Sequence, residues 1–146
     1  MPVMFEVGKT YIRRQLHDQY GGQWQGGIST PARHPLILLF TGSGGEKWGY
    51  RDHWDPDGTF QFTGEGQFGN MEFRAGNKAI RDHASNGKQL HLFGADGRGR
   101  ARYVGQMVYV SHDLVRGVPD GSDQPRVAIL FHLAHSQMEG ARDQGG

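Results

Sequence analysis

GYRDHWDPDGTFQFTG, residues 49–64, runs an aromatic and acidic cluster, a turn and an alternating strand together without a break. Asp55-Pro56-Asp57-Gly58 has tight-turn chemistry: proline presets φ, aspartate bonds back to its own backbone, and glycine takes a left-handed position. Thr59–Thr63 alternates, with Phe60 and Phe62 on one face, and reads as a strand. Aromatic residues and acids around such a hairpin form one wall of a pocket.

Working outward, LILLF (36–40) is a short apolar run beside breakers and reads as a buried strand. Gln89–Phe93, Tyr103–Val110 and Val127–Leu133 read as further strands, the last two long enough to carry a curved sheet. Two helices are expected. Thr10 would cap the first, with Tyr11, Ile12, Leu16 and Tyr20 at helical spacing and Gly21-Gly22 as its stop. Asn77 would cap the second over Lys78–Asn86, with Ala79, Ile80, His83 and Ala84 inward and Gly87 ending it. GGQWQGGISTPARHP (21–35) is a long loop, GADGRGR (94–100) a mobile turn and VRGVPDGSDQP (115–125) a longer excursion. The expected fold is α+β and strand-dominated, a partly closed curved β-barrel with two short helices. It spans residues 1–136, and a polar, glycine-rich tail or linker occupies 137–146.

Composition narrows the function classes. Glycine supplies 24 of 146 residues, which excludes a helix bundle, since each interior glycine costs about 1 kcal/mol relative to alanine. The chain has no cysteine, hence no disulfide framework, thiolate metal site or cysteine nucleophile, and a reducing cytoplasmic location is the default. No apolar run approaches the roughly 20 residues that span a bilayer, so no membrane partner is expected. Net charge is only +1, but Arg74, Lys78, Arg81, Lys88, Arg98, Arg100 and Arg102 outnumber Glu72, Asp82 and Asp96 between residues 71 and 102. That stripe is either a solvated face or a surface for phosphates.

Several motifs fail on context. Gly64-Glu65-Gly66-Gln67-Phe68-Gly69 fits G-x-G-x-x-G, yet the helix expected after it starts too late, and 84–95 holds no acid for a ribose. His132 and His135 on one strand point to opposite faces. Asp52, His53, Asp55, Asp57, His112 and Asp113 could assemble a metal-dependent nuclease, and Asp52, Asp55 and a histidine define that enzyme alternative. A barrel that binds a small molecule or carbohydrate on its tryptophans is a second alternative.

The order of motifs is more specific than any one of them. Gly49-Tyr50, the acids after it, the turn Gly58 and Phe60-Gln61-Phe62-Thr63-Gly64 are followed by a glycine-rich stretch, Gly76-Asn77-Lys78-Ala79 and Arg102-Tyr103-Val104-Gly105. Over residues 36–110 this resembles the SRA (SET- and RING-associated) domains that read modified cytosine. GGQWQGGISTP and FTGEGQFGNMEF are similar to the SRA-like modules attached to HNH endonucleases that restrict modified DNA. The resemblance implies a DNA-binding module that flips and reads 5-methyl- or 5-hydroxymethylcytosine in double-stranded DNA. It implies that this chain is non-catalytic and needs no cofactor. A divalent metal would be required only in a nuclease domain after residue 146, through which the protein could also form a homodimer.

Physical chemistry assigns the roles within such a module. Extruding a base costs a few kcal/mol, and stacking returns about 1–3 kcal/mol per base. Tyr50 and Phe62 are the stacking candidates, with core packing the plainer role for Phe62. A carboxylate accepts from the cytosine N4 amine; Asp52 is the first choice and Asp55 the second, each with an ordinary turn role open. Thr63 and Gly64 would approach the 5-substituent or simply end the strand. Gln23, Trp24 and Gln25, between glycine pairs, could enter the groove and fill the vacated space, or Trp24 could pin the loop. Ser29, Thr30, Lys47, Arg74, Lys78 and Arg81 are the expected phosphate contacts. Three departures from the family stand out. Phe62 replaces the usual tyrosine, the spacing from Tyr50 to Gly58 differs by one, and no Asn-Lys-Arg finger follows Thr63-Gly64. The acceptor therefore stays open among Asp52, His53 and Asp55.

Overall fold

The computed structural model describes residues 5–23, 26–42 and 52–136. Among these residues eight strands and two helices follow in the order β1 (Thr10–Ile12), α1 (Arg13–Tyr20), β2 (Ile28–Ser29), β3 (Leu36–Thr41), β4 (His53–Trp54), β5 (Phe60–Thr63), α2 (Ala75–Arg81), β6 (Gln89–Ala95), β7 (Arg100–Pro119) and β8 (Pro125–His135). They form one sheet of order β2-β3-β6-β7-β8-β5-β4, with β1 paired to β7. β3 and β6 are parallel and every other pair is antiparallel. The sheet curls without closing, as a partly closed barrel.

Both faces of β3 are covered. Ile37 and Leu39 join Phe60, Phe62, Leu90, Leu92, Met107, Ile129, Phe131 and Leu133 in the larger core. Leu36, Leu38 and Phe40 join Phe93, Ala101, Tyr103 and Leu16 of α1 on the other side. This is why LILLF carries no polar alternation. Curvature comes from irregular register: β6 and β7 slip between Leu92 and Phe93, and β7 and β8 slip at 109–111 and at 115–118. Each extra residue bends its strand.

Three local expectations are corrected. Thr10–Ile12 is a strand, with Thr10 opposite Arg102, so the first helix starts at Arg13. Threonine and isoleucine suit the unpaired edge of β7 better than a helix turn. The second helix is Ala75–Arg81, and Asn77 lies inside it rather than capping it. The 115–125 excursion is the tip of the β7–β8 hairpin, closed over Asp120, which accepts from the backbones of Gly69, Ser122 and Gln124. Those N–H groups, that of Gly69 first, hold the Asp120 carboxyl below its usual range. Gly21 ends α1 at φ 84°, as expected. The 137–146 tail lies outside the described residues.

His91 in β6 is buried between Tyr103 and Gln89. Its Nε2–H donates to Gln89 Oε1 (3.0 Å) and its Nδ1 accepts from the Tyr103 hydroxyl (2.8 Å), which requires the neutral ring. Burial pushes its pKa down to about 4, from 6.5. The unfolded chain therefore takes up this proton first as pH falls, and stability drops between about pH 6.5 and 4. The loss should amount to about 2–3 kcal/mol. An NMR titration should find this imidazole neutral down to about pH 4, and urea midpoints should decline over the same window. Protonation near pH 6.5 would contradict the burial argument.

Candidate nucleic-acid interface

The expected hairpin is present as β4 and β5. His53 pairs with Gln61 and Trp54 with Phe60 across a turn closed by Asp55 N to Thr59 O (2.8 Å) and Gly58 N to Asp55 O (3.0 Å). Continuing that register puts Asp52 opposite Phe62. The Asp52 carboxylate is clamped from two strands: Oδ1 accepts from Thr63 N (2.7 Å) and Oδ2 from the Thr41 hydroxyl (2.5 Å). Thr63 itself is buried, and its Oγ1 has no hydrogen-bond partner among the described residues. Gly64 must lack a side chain, since a Cβ there would lie 2.9 Å from Asn77 Oδ1 and 3.2 Å from Ile129 O. A polar corner thus forms where β3, β4 and β5 end.

Phe62 is 2% exposed and belongs to the larger core, opposite Phe131. Gly27 comes so close that a Cβ on it would sit 3.6 Å from Phe62 Cζ. Among the described residues the ring therefore floors the corner and presents no open stacking face. Tyr50 and Lys47 lie outside the described residues, as do Trp24 and Gln25.

Asp55 is on the other face. Its Oδ1 meets His53 Nε2 (3.1 Å) and its Oδ2 lies 3.8 Å from His132 Nδ1, while His132 Nε2 bonds Asp113 Oδ2 (2.7 Å). Strand alternation separates Asp52 from Asp55, which removes Asp55 as a second acceptor in the corner and keeps the proposed nuclease set apart. Among the described residues no three histidines or acids gather as a metal-binding set.

Around the corner the loop before β3 is tied at both ends. Arg13 reaches Gly26 O (2.9 Å) over the ring of Phe40, and Gln23 takes both polar groups of Thr30, accepting from its N (2.7 Å) and donating to its Oγ1 (2.9 Å). Gln23 is thus spent inside the loop. Ser29 is fully buried, so it is not a phosphate contact in this conformation, and Thr30 is half-buried. Arg74 and Lys78 are exposed, whereas Arg81 stacks on Phe73 and pairs with Asp82 at 2.9 Å. Arg74 lies 3.4 Å from Glu72 in a solvent-exposed and therefore weak pair.

Asn77, expected as a helix cap, is instead a buried tie. At 2% exposure it accepts from Glu65 N (2.8 Å) and donates to Glu65 O (2.9 Å) and Glu72 O (3.0 Å), stitching the segment after Gly64 to α2. Glu65 turns inward and accepts from Gly76 N (2.9 Å); burial raises its pKa, partly offset by that bond.

This arrangement has relatives. A family model described as the SRA domain of ScoMcrA-like proteins matches residues 7–143. The chain belongs to that family. The SRA fold is also found in a structure of the sulfur binding domain and SRA domain of ScoMcrA complexed with phosphorothioated DNA, at TM-score 0.71 and 25% identity. That match covers 91% of this chain and 40% of the other. The type IV phosphorothioation-dependent restriction endonuclease ScoMcrA matches at TM-score 0.70 and 25% identity, covering 91% of this chain and 28% of the other. This SRA domain therefore spans less than half the length of either. The SUVH5 SRA domain, solved with hemimethylated CG DNA, matches at TM-score 0.65 and 16% identity, covering 90% of this chain and 88% of the other. No curated protein sequence gives a significant match.

Proposed function

We propose that this SRA domain binds double-stranded DNA and receives an extruded, 5-modified cytosine at the corner formed by Asp52, Thr63 and Gly64. The observation that carries the reading is the clamped Asp52 carboxylate beside a buried Thr63 hydroxyl with no partner among the described residues. Each carboxylate oxygen has two lone pairs and the protein uses one on each, which leaves acceptors for the cytosine N4 amine. Fixing the acid in advance removes the ordering cost at binding. Phe62 supports the corner from below, and Tyr50 supplies the stacking face. Arg74, Lys78 and Arg81 hold the backbone, and cleavage belongs to an HNH nuclease domain elsewhere in the protein.

The test titrates one duplex in four forms at fixed salt: unmodified, and carrying a central 5-methylcytosine, 5-hydroxymethylcytosine or phosphorothioate. Tighter binding to a modified cytosine is expected. Equal affinity for all four removes the reading, and preference for the phosphorothioate alone moves recognition from the base to the backbone. Lys78→Ala should weaken binding to every duplex alike and lower the salt slope by about 1. A loss confined to modified DNA would give Lys78 a role other than phosphate contact.

A further inference from the structure

The basic stripe between residues 71 and 102 divides in the fold. Lys88 lies just before β6, whereas Arg98, Arg100 and Arg102 lie in or just after the β6–β7 turn, at the opposite end of that strand. Because β3 and β6 are parallel, this turn leaves the sheet at the same end as Thr41, whose hydroxyl holds Asp52. The chain after β3 sets out beside it: a Cβ on Gly42 would lie 3.5 Å from Ala95 Cβ. Register fixes the face as well as the end. Thr41 pairs with Gly94, Gly94 with Arg102 and Arg102 with Thr10, so one row crosses β3, β6, β7 and β1. Residues in such a row share a face, here the face from which Thr41 reaches Asp52. Gly94 puts no side chain between them, and two strand spacings separate Arg102 from Thr41 by about 10 Å.

Arg102 is exposed yet aimed. Its Nη2 lies 3.5 Å from Asp96 Oδ2, and the same carboxylate oxygen accepts from the Thr10 hydroxyl of β1. An exposed pair of this length is weak, and a guanidinium carries five donors, so Asp96 orients the group and leaves donors for a second partner. Arg98 and Arg100 are exposed around the same turn, and three arginines there meet the single acid Asp96. A turn of one dominant sign beside the corner favours a polyanion.

We propose that Arg100 and Arg102 form a second phosphate clamp: they hold the DNA backbone on the β3 side of the corner, opposite Lys78, whose helix abuts Gly64 through Asn77 on the β5 side. The inference rests on the reading of the corner as the place of the extruded base. Nucleotides rise by about 3.4 Å per step, so the clamped phosphate lies about three steps from the cytosine.

The experiment measures affinity at about 0.15 M salt for a duplex with a central 5-methylcytosine. It repeats the measurement on copies in which a single phosphate, up to five steps to either side on either strand, is a neutral methylphosphonate. Arg102→Gln should lose about fivefold on the fully charged duplex, the counterion release of one contact at that salt, and lower the salt slope by about 1. Arg100→Gln, which leaves the Asp96–Arg102 pair in place, should behave alike. Neither should lose more on the copy neutralised about three steps to one side, whereas Lys78→Ala should be silent only on a copy neutralised on the other side. Arg102→Lys should keep the slope. Lys88→Gln, the same charge change at the far end of β6, should lose less than twofold. Losses below twofold for both arginine variants, losses that no neutralised phosphate removes, a phosphate shared with Lys78, or an equal loss from Lys88→Gln overturn the clamp. The base-reading proposal fails separately, when the unaltered domain binds modified and unmodified duplexes alike. The same phosphate scan on the unmodified duplex still decides the clamp in that case.

Discussion

Asp52→Asn should sharply weaken binding to a duplex carrying a modified cytosine while leaving the fold intact. The amide can keep its oxygen toward Thr63 N and turn its NH₂ to the Thr41 hydroxyl oxygen, so both bonds of the clamp survive with neutral partners. The face offered to cytosine then changes from two acceptors to one acceptor and a donor, and a donor opposes the N4 amine. A correct base-edge contact discriminates by about 1–3 kcal/mol, so affinity for the modified duplex should fall about 10- to 100-fold, toward the unmodified value. Fluorescence anisotropy on matched duplexes measures this, and a thermal melt close to that of the unaltered domain controls for folding. Unchanged affinity for the modified duplex would move recognition away from this corner.

The largest effect on stability is expected at Asn77. Alanine there leaves Glu65 N, Glu65 O and Glu72 O without their side-chain partner in a buried setting, at a cost of about 2–4 kcal/mol. Urea unfolding should return a lower midpoint with an unchanged slope, since the same surface is exposed. Asn77→Asp should be no better. It keeps the acceptor for Glu65 N but turns a carboxylate on two carbonyl oxygens. A change under about 0.5 kcal/mol for either variant would mean that the stitch contributes little.

The elements legible in the sequence were those governed by local rules. LILLF, the Asp55–Gly58 turn and the Phe60/Phe62 alternation each carry their signal within a few residues, and each appears in the fold as β3, the β4–β5 turn and β5. Thr10–Ile12 and Asn77 were misread because distant partners decide them. Thr10 resembles a helix cap until the 100–102 edge of β7 is beside it, and Asn77 resembles one until Glu65 and Glu72 claim both ends of its amide. The same holds in the corner. Asp52 was identifiable as an acid next to a turn, but its clamp needs Thr41, eleven residues earlier in sequence. Asp55 was close to Asp52 in sequence and is divided from it by the pleat. Phe62 looked like a platform or a core residue, and its neighbour Gly27 lies too far upstream for the choice to be visible.

The parallel pairing of β3 with β6 also orders events in time. Joining Leu36–Thr41 to Gln89–Ala95 closes a ring of chain that contains β4, β5 and α2, and with them Asp52, Thr63, Gly64 and Asn77. Long closures are entropically costly and delay the contacts that depend on them. The β7–β8 hairpin, whose strands are joined by a short turn, faces no such delay. The proposed recognition corner thus lies inside the closed stretch, and its contacts are expected to form after those of the β7–β8 hairpin.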